Sequence, residues 1–175
     1  SYSDIYLNND LSCNARAVLS YNWRLRSFAD YVQQLEMESL GKQPNGHWEN
    51  TGQIIFGGYG PTAQHSYFQL LHQGTASVAA DIIVSKEDTS SLAYAQAITQ
   101  AKLLSNRDIG DEMGKTPVNL FLLNKLDPYT LGYLIATWEH RTYITAAMYN
   151  INPFDQFGVS AGKIATKKYL KENGG

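Results

Sequence analysis

The chain has 175 residues, a net charge of −2 and a pI near 6.0, which fits one domain with its own core and disfavours a nucleic-acid-wrapping or polybasic membrane-surface protein. Apolar residues make up 43% and charged residues only 17%, against the signature of disorder. The single cysteine, Cys13, excludes an internal disulfide and a cysteine-rich zinc site, and fits a reducing compartment; the opening Ser1–Asp10 lacks the basic start of a secretory signal, and no apolar run reaches the ~20 residues of a membrane span.

In chain order, Val18, Tyr21, Leu25, Phe28, Val32 and Leu35 fall at steps of three and four and predict a helix from Ala17 to Gln34. Gly41–Gly46 is a turn. Gln53–Phe56 is a short strand, followed by a tight loop at Gly57-Gly58. Pro61 or Thr62 opens the next helix, which stops at Gly74. Between Glu49 and Asp81 there is no charged side chain. This uncharged, glycine-rich window predicts a segment folded inward, either beside a pocket or as a buried strand and helix.

Ala80–Val84 is a second buried strand. Asp88 or Thr89 caps a helix to about Ser105. Val118–Leu123 is a third strand, and Thr130 opens a long helix through Tyr149. Asn152-Pro153 has the form of an N-cap with proline at the first helical position, and predicts a last helix to about Lys171. Apolar strands alternating with helices predict an α/β fold, a parallel sheet with helices on both faces. Ligands of such sheets sit beyond the carboxyl ends of the strands, which places the Gly57–His65 loop, with Gln64 and His65, at a ligand edge.

Gln34 and Glu38 are four apart and share a helical face, while Glu36 points elsewhere. An amide and a carboxylate there could hold a sugar hydroxyl and move a proton; a solvated helix end is the plainer reading. His65 and His72 are seven apart, but no carboxylate or thiol accompanies them, so a metal site is not expected. Lys163 is flanked by Gly158 and Gly162, each costing about 1 kcal/mol in a helix interior. That cost fits close helix packing or ligand approach. No phosphate P-loop or dinucleotide fingerprint is present.

Four blocks occur in one order: QQLEMESLGK at 33–42, GGYGPTAQHSYFQLLHQGT at 57–75, LGYLIATWEHR at 131–141 and NPFDQFGVSAGK at 152–163. Together they resemble the C-terminal part of the phosphoglucose isomerase family over nearly the whole chain. Gly58, Pro61 and Ser160 depart from the family's usual residues.

The resemblance implies a sugar-isomerase (SIS) type, flavodoxin-like three-layer sandwich, with residues 1–175 forming a single domain of a longer enzyme. It implies cofactor-free interconversion of glucose 6-phosphate and fructose 6-phosphate through an enediol, in glycolysis and gluconeogenesis. Glu38 matches the base, which suits a carboxylate whose pKa is raised by enclosure. Gln34 matches a substrate-binding residue, and His65 a ring-opening histidine contributed by the neighbouring subunit. Lys163 matches a lysine near the ring oxygen and phosphate end. The implied partners are a phosphorylated hexose and a second copy in a homodimer, in the cytoplasm, with no metal, nucleic acid or membrane. The family's phosphate-binding domain and its enediolate-steadying arginine do not appear before Gln33, so the chain alone is expected to be inactive. A non-catalytic phosphosugar-binding or dimerisation domain is the alternative.

Overall fold

The computed structural model describes residues 1–46, 48–105 and 116–174. Helix α1 (Tyr2–Asn9) precedes strand β1 (Ala15–Ser20). A 3-10 turn (Trp23–Leu25) leads to α2 (Phe28–Leu40) and then β2 (Ile54–Tyr59). Two short helices, α3 (Gly60–Ala63) and α4 (Phe68–Gln73), lead to β3 (Val78–Ser85). A 3-10 turn (Lys86–Asp88) precedes α5 (Leu92–Ser105), and β4 (Val118–Leu123), α6 (Pro128–Tyr149) and α7 (Phe157–Glu172) follow. The four strands are all parallel, in the order β2-β1-β3-β4. The expected α/β architecture with helices on both faces is what the chain adopts.

Successive residues of β1 face opposite sides of the sheet. Ala17 and Leu19 pack with Ala80, Ile82 and Val84 under α4 and α5, through Phe68, Leu71, Ala97 and Leu104. Val18 packs with Ile55 and Ile83 under α2 and α6, through Phe28, Val32, Leu134 and Trp138. The Trp138 ring meets Phe28 edge-on, with centroids 5.1 Å apart, and locks α2 to α6.

The largest correction concerns Ala17–Gln34. Its first part is β1, the central strand, and only Phe28 onward is helix. Ala17, Val18 and Leu19 are buried on both faces of the sheet, and a strand so placed carries an unbroken apolar run that also satisfies helical spacing. The change of structure is marked by Asn22, whose side chain accepts from Arg24 N at 3.0 Å and caps the 3-10 turn.

Other boundaries also move. The strand read as Gln53–Phe56 continues through the two glycines to Tyr59. Gly57 has φ +151° and pairs with Val18, whose backbone a Cβ at that position would strike. The helix expected from Pro61 to Gly74 is broken between Ala63 and Phe68. Gly74 does end α4, its N–H donating to Leu70 O at 2.8 Å. Asp88 binds Ser90 instead of capping α5. Ser91 takes that place, accepting from Tyr94 N at 3.2 Å. Helix α6 begins at Pro128, capped by Asp127, which accepts from Thr130 N at 2.8 Å. Asn152 forms a turn by accepting from Phe154 N, and α7 starts only at Phe157.

The uncharged window is folded inward only in part: Gln53, Ile55, Ala63, Phe68 and Leu71 are buried. Ile54, His65, Gln69 and Leu70 are exposed, because β2 is an edge strand and α3 and α4 lie on the surface. Among the described residues, no helix is long and apolar enough to cross a membrane.

Candidate functional site

Helix α2 crosses back along the sheet, so its last turn lies at the end where β1 and β2 begin. Gln33 ties it there, donating from Nε2 to Ile55 O at 2.6 Å. On the outward face, Tyr31, Gln34, Leu35 and Glu38 recur at helical spacing. With Ser39 and with Glu139 of α6 they line an open recess of ≈ 320 Å³. The expected pair Gln34 and Glu38 is thus brought together on one wall. Glu38 is half-buried.

Glu139 is the residue that the sequence reading missed. It was legible only as the charge interrupting an otherwise apolar helix. Tyr31 Oη donates to Glu139 Oε1 at 3.3 Å, and burial together with the Glu139 carboxylate pushes the Tyr31 phenol up. The recess shares Leu35, Ser39 and Glu139 with a larger groove of ≈ 630 Å³ that runs past His140 and Tyr143 to Phe154 and Gln156. The six residues lining the recess include two carboxylates and no cation. Nearby Lys42 is turned to the helix end, where Nζ donates to the carbonyls of Glu38 and Ser39.

Glu36 has the opposite setting. It is 5% exposed and faces inward. Burial pushes its carboxyl up, against the pull of Arg141 and Arg16. The enclosed carboxylate of this helix is therefore Glu36.

Beside Glu36 lies a group of charges that the sequence reading did not pick out. Arg16 and Asp81, both 0% exposed, are joined from Nη1 to Oδ1 at 3.0 Å. Arg141 Nη1 reaches Asp81 Oδ2 at 3.0 Å, and its Nε reaches Asp4 Oδ2 at 2.8 Å. Asp4 closes the ring by also accepting from Arg16 Nη2. Gln53 and Asn119 satisfy remaining positions on Arg16 and Asp81, at 3.0 Å and 2.7 Å. Burial alone would raise the Asp4 carboxyl, but Arg16 and Arg141 overcome it and hold the group below its ordinary value. This ring packs against the inner side of α2 and α6, behind the recess.

His65 and Lys163 do not join Gln34 and Glu38. His65 follows the carboxyl end of β2, at the opposite end of the sheet, and is exposed. Lys163 is exposed on α7, a helix with no buried residue. A Cβ at Gly158 or Gly162 would meet nothing within 4 Å, so their expected close packing is not made among the described residues. His72 Nε2 lies 3.0 Å from Gln100 Oε1. Among the described residues, no group of three or more His, Cys, Asp or Glu could hold a metal ion.

With this geometry in view, the chain can be set beside known proteins. It is 39% identical over 200 residues to the glucose-6-phosphate isomerase of Acinetobacter venetianus, covering 95% of this chain and 36% of that protein. It is also 39% identical over 191 residues to that of Novosphingobium aromaticivorans, covering 100% and 38%. The chain thus spans little more than a third of the length of these relatives. A crystal structure of a glucose-6-phosphate isomerase from Chlamydia trachomatis superposes with a TM-score of 0.83 at 28% identity, covering 96% of this chain and 37% of that one. A hypothetical protein from Thermus thermophilus shares the fold, with a TM-score of 0.80 at 22% identity over 95% of this chain and 44% of that one. The phosphoglucose isomerase family model matches residues 1–112 and 95–174, and the chain belongs to that family.

Proposed function

We propose that the protein carrying this chain interconverts glucose 6-phosphate and fructose 6-phosphate, a step of glycolysis and gluconeogenesis, in the cytoplasm. In this reading, residues 1–175 are one sugar-isomerase-type domain, the C-terminal portion of a longer enzyme. The observation that carries the proposal is the convergence of Gln34 and Glu38 on one recess in a chain of this family. Glu38 takes the proton from C2 of the opened sugar and returns it to C1, passing through an enediol. Gln34 holds a substrate hydroxyl beside it. The step moves a proton between two carbons of one molecule, so it asks for a positioned base and no redox cofactor.

The recess itself does not suit a phosphate. Glu38 and Glu139 would repel a dianion, and no lining residue offsets them. The phosphate is therefore held by groups outside these lining residues, and the 175-residue chain alone is expected to be inactive where part of that anchor belongs to the rest of the longer enzyme. His65 opens the sugar ring and serves the pocket of a second copy in a homodimer. Its place at the far end of the sheet from Glu38 supports that division. Lys163 acts near the ring oxygen and phosphate end.

The test is Glu38→Gln in the intact protein, assayed by a coupled glucose 6-phosphate reaction. Turnover falls by about 10²–10⁴-fold, while substrate binding changes far less. Turnover within a few-fold of wild type would remove Glu38 as the base and make Glu36, on the same helix, the next candidate.

A further inference from the structure

Behind the recess, α1, α2 and α6 enclose an internal cavity of ≈ 10 Å³, about the space one water molecule requires. Asn8, Glu36, Arg141, Thr145 and Tyr149 are among its lining residues. Two of them present acceptors with no hydrogen-bond partner among the described residues, Glu36 Oε1 and Asn8 Oδ1. Both side chains are more than nine-tenths buried, and buried acceptors in native proteins are rarely left without a donor. Reversing the Asn8 amide does not solve the problem. Its Nδ2 donates to Gly52 O at 3.5 Å, and a flip would set oxygen against oxygen.

The third group is the Tyr149 hydroxyl. It accepts from Asn9 Nδ2 at 3.2 Å and from Asn8 Nδ2 at 3.5 Å. Both lone pairs are occupied, so its own proton is the part left to give. These three groups offer two acceptors and one donor, on a wall that Arg141 and Thr145 also line. A metal cation is disfavoured by the Arg141 guanidinium on the same wall. A neutral molecule with two donors and a free lone pair matches all three groups.

We propose that this cavity is a binding site for one water molecule, which donates to Glu36 Oε1 and Asn8 Oδ1 and accepts from the Tyr149 hydroxyl. Three hydrogen bonds are the usual number for a buried water. The molecule joins α1, α2 and α6 at a point where their side chains do not meet directly. Burial raises the Glu36 carboxyl, and water serves either form, donating to the carboxylate or accepting from the acid. The water site stands whether or not the isomerisation proposed above takes place.

The test uses the intact protein. Unfolding equilibria are measured for Glu36→Met, Tyr149→Phe and the double variant. A shared water couples the two positions, so the double variant departs from the product of the single effects by on the order of 3- to 30-fold. Agreement within about two-fold overturns the proposal. A high-resolution crystal structure of the wild-type protein gives the answer even if the double variant does not fold. A single water within hydrogen-bond distance of all three atoms supports the site. A cavity without density, or an ion at metal–oxygen distances, overturns it.

Discussion

The two ends of the sheet are built on different terms. Where the strands begin, this chain balances its own buried charges. Asp4, Arg16, Asp81 and Arg141 neutralise one another, and α2 and α6 close over them. Where the strands finish, polar groups are left on the outside. His65 is exposed, and the ion pair of Arg24 with Glu87, at 3.0 Å, stands in solvent. The lesson is that the same residue types contribute differently according to what covers them. Buried charges must find partners within the chain, whereas exposed ones leave stability nearly untouched and are free to serve another surface.

The largest effect expected from this contrast is one of activity. On the proposed sharing of His65 between two copies, Glu38→Gln and His65→Ala of the intact protein are each expected to be nearly inactive. A mixed dimer holds one pocket with both defects and one with neither. Activity therefore rises to as much as half the wild-type level per mixed dimer. No recovery despite proven subunit exchange would mean that each pocket takes both residues from the same subunit, and would erase the division between the two ends.

The next effect is on stability. Asp81→Ala leaves Arg16 and Arg141 with one shared carboxylate in place of two. Removing one member of a buried charge group costs about 3–5 kcal/mol, which denaturant unfolding will read. A loss below about 1 kcal/mol, the scale of an exposed pair, would show that water reaches the ring.

Smaller, and dependent on pH, is the effect of Glu36→Gln. The folded Glu36 holds its proton to a higher pH than the unfolded chain, whose carboxyl titrates near the ordinary value of about 4.3. The wild type therefore loses stability as pH rises from there toward the raised folded value. The glutamine variant cannot ionise, so it gains on the wild type by up to about 1.4 kcal/mol per pH unit within that window. The two should run parallel below it. A constant difference across that range would show that Glu36 titrates alike in both states. Asp4 works with the opposite sign: its stabilising contribution is present above the unfolded carboxylate range and is lost as pH falls through its lowered folded value.

The smallest change is that of Arg24→Ala. The exposed pair with Glu87 is lost, and the thermal midpoint stays where it was. A clear drop would mean that this end of the sheet is more enclosed than its exposure indicates.

The outline of the fold was legible because three strands and two of the long helices carry local signals. Ala80–Val84 is an unbroken apolar run apart from Asp81, and the helix read from Thr130 through Tyr149 has a sustained length. Strand β1 was not legible because Val18, Tyr21, Leu25 and Phe28 keep helical spacing across a change of structure at Asn22. Gln34 and Glu38 could be paired from their spacing alone. Glu139 could not, since it comes from a helix about a hundred residues later and meets Tyr31 only after folding. The charge ring was hidden for the same reason. One clue was available: Arg16 and Asp81 are lone opposite charges beside or within buried apolar runs, and such groups are rarely buried unless paired.

The ring also bears on the order in which the molecule is made. Asp4 and Arg141 lie 137 positions apart, yet each helps neutralise the group that contains Arg16 and Asp81. A ribosome delivers α1 and β1 early and α6 late. Until α6 emerges, Asp4 and Asp81 must share the single guanidinium of Arg16, and the part of α2 that α6 covers stays open. Closing a contact across so long a loop is entropically expensive and therefore slow. The arrival of Arg141 converts a chain with a partly formed sheet into one whose charges balance. A nascent protein halted before that residue is thus expected to be a much easier substrate for proteases than its finished counterpart.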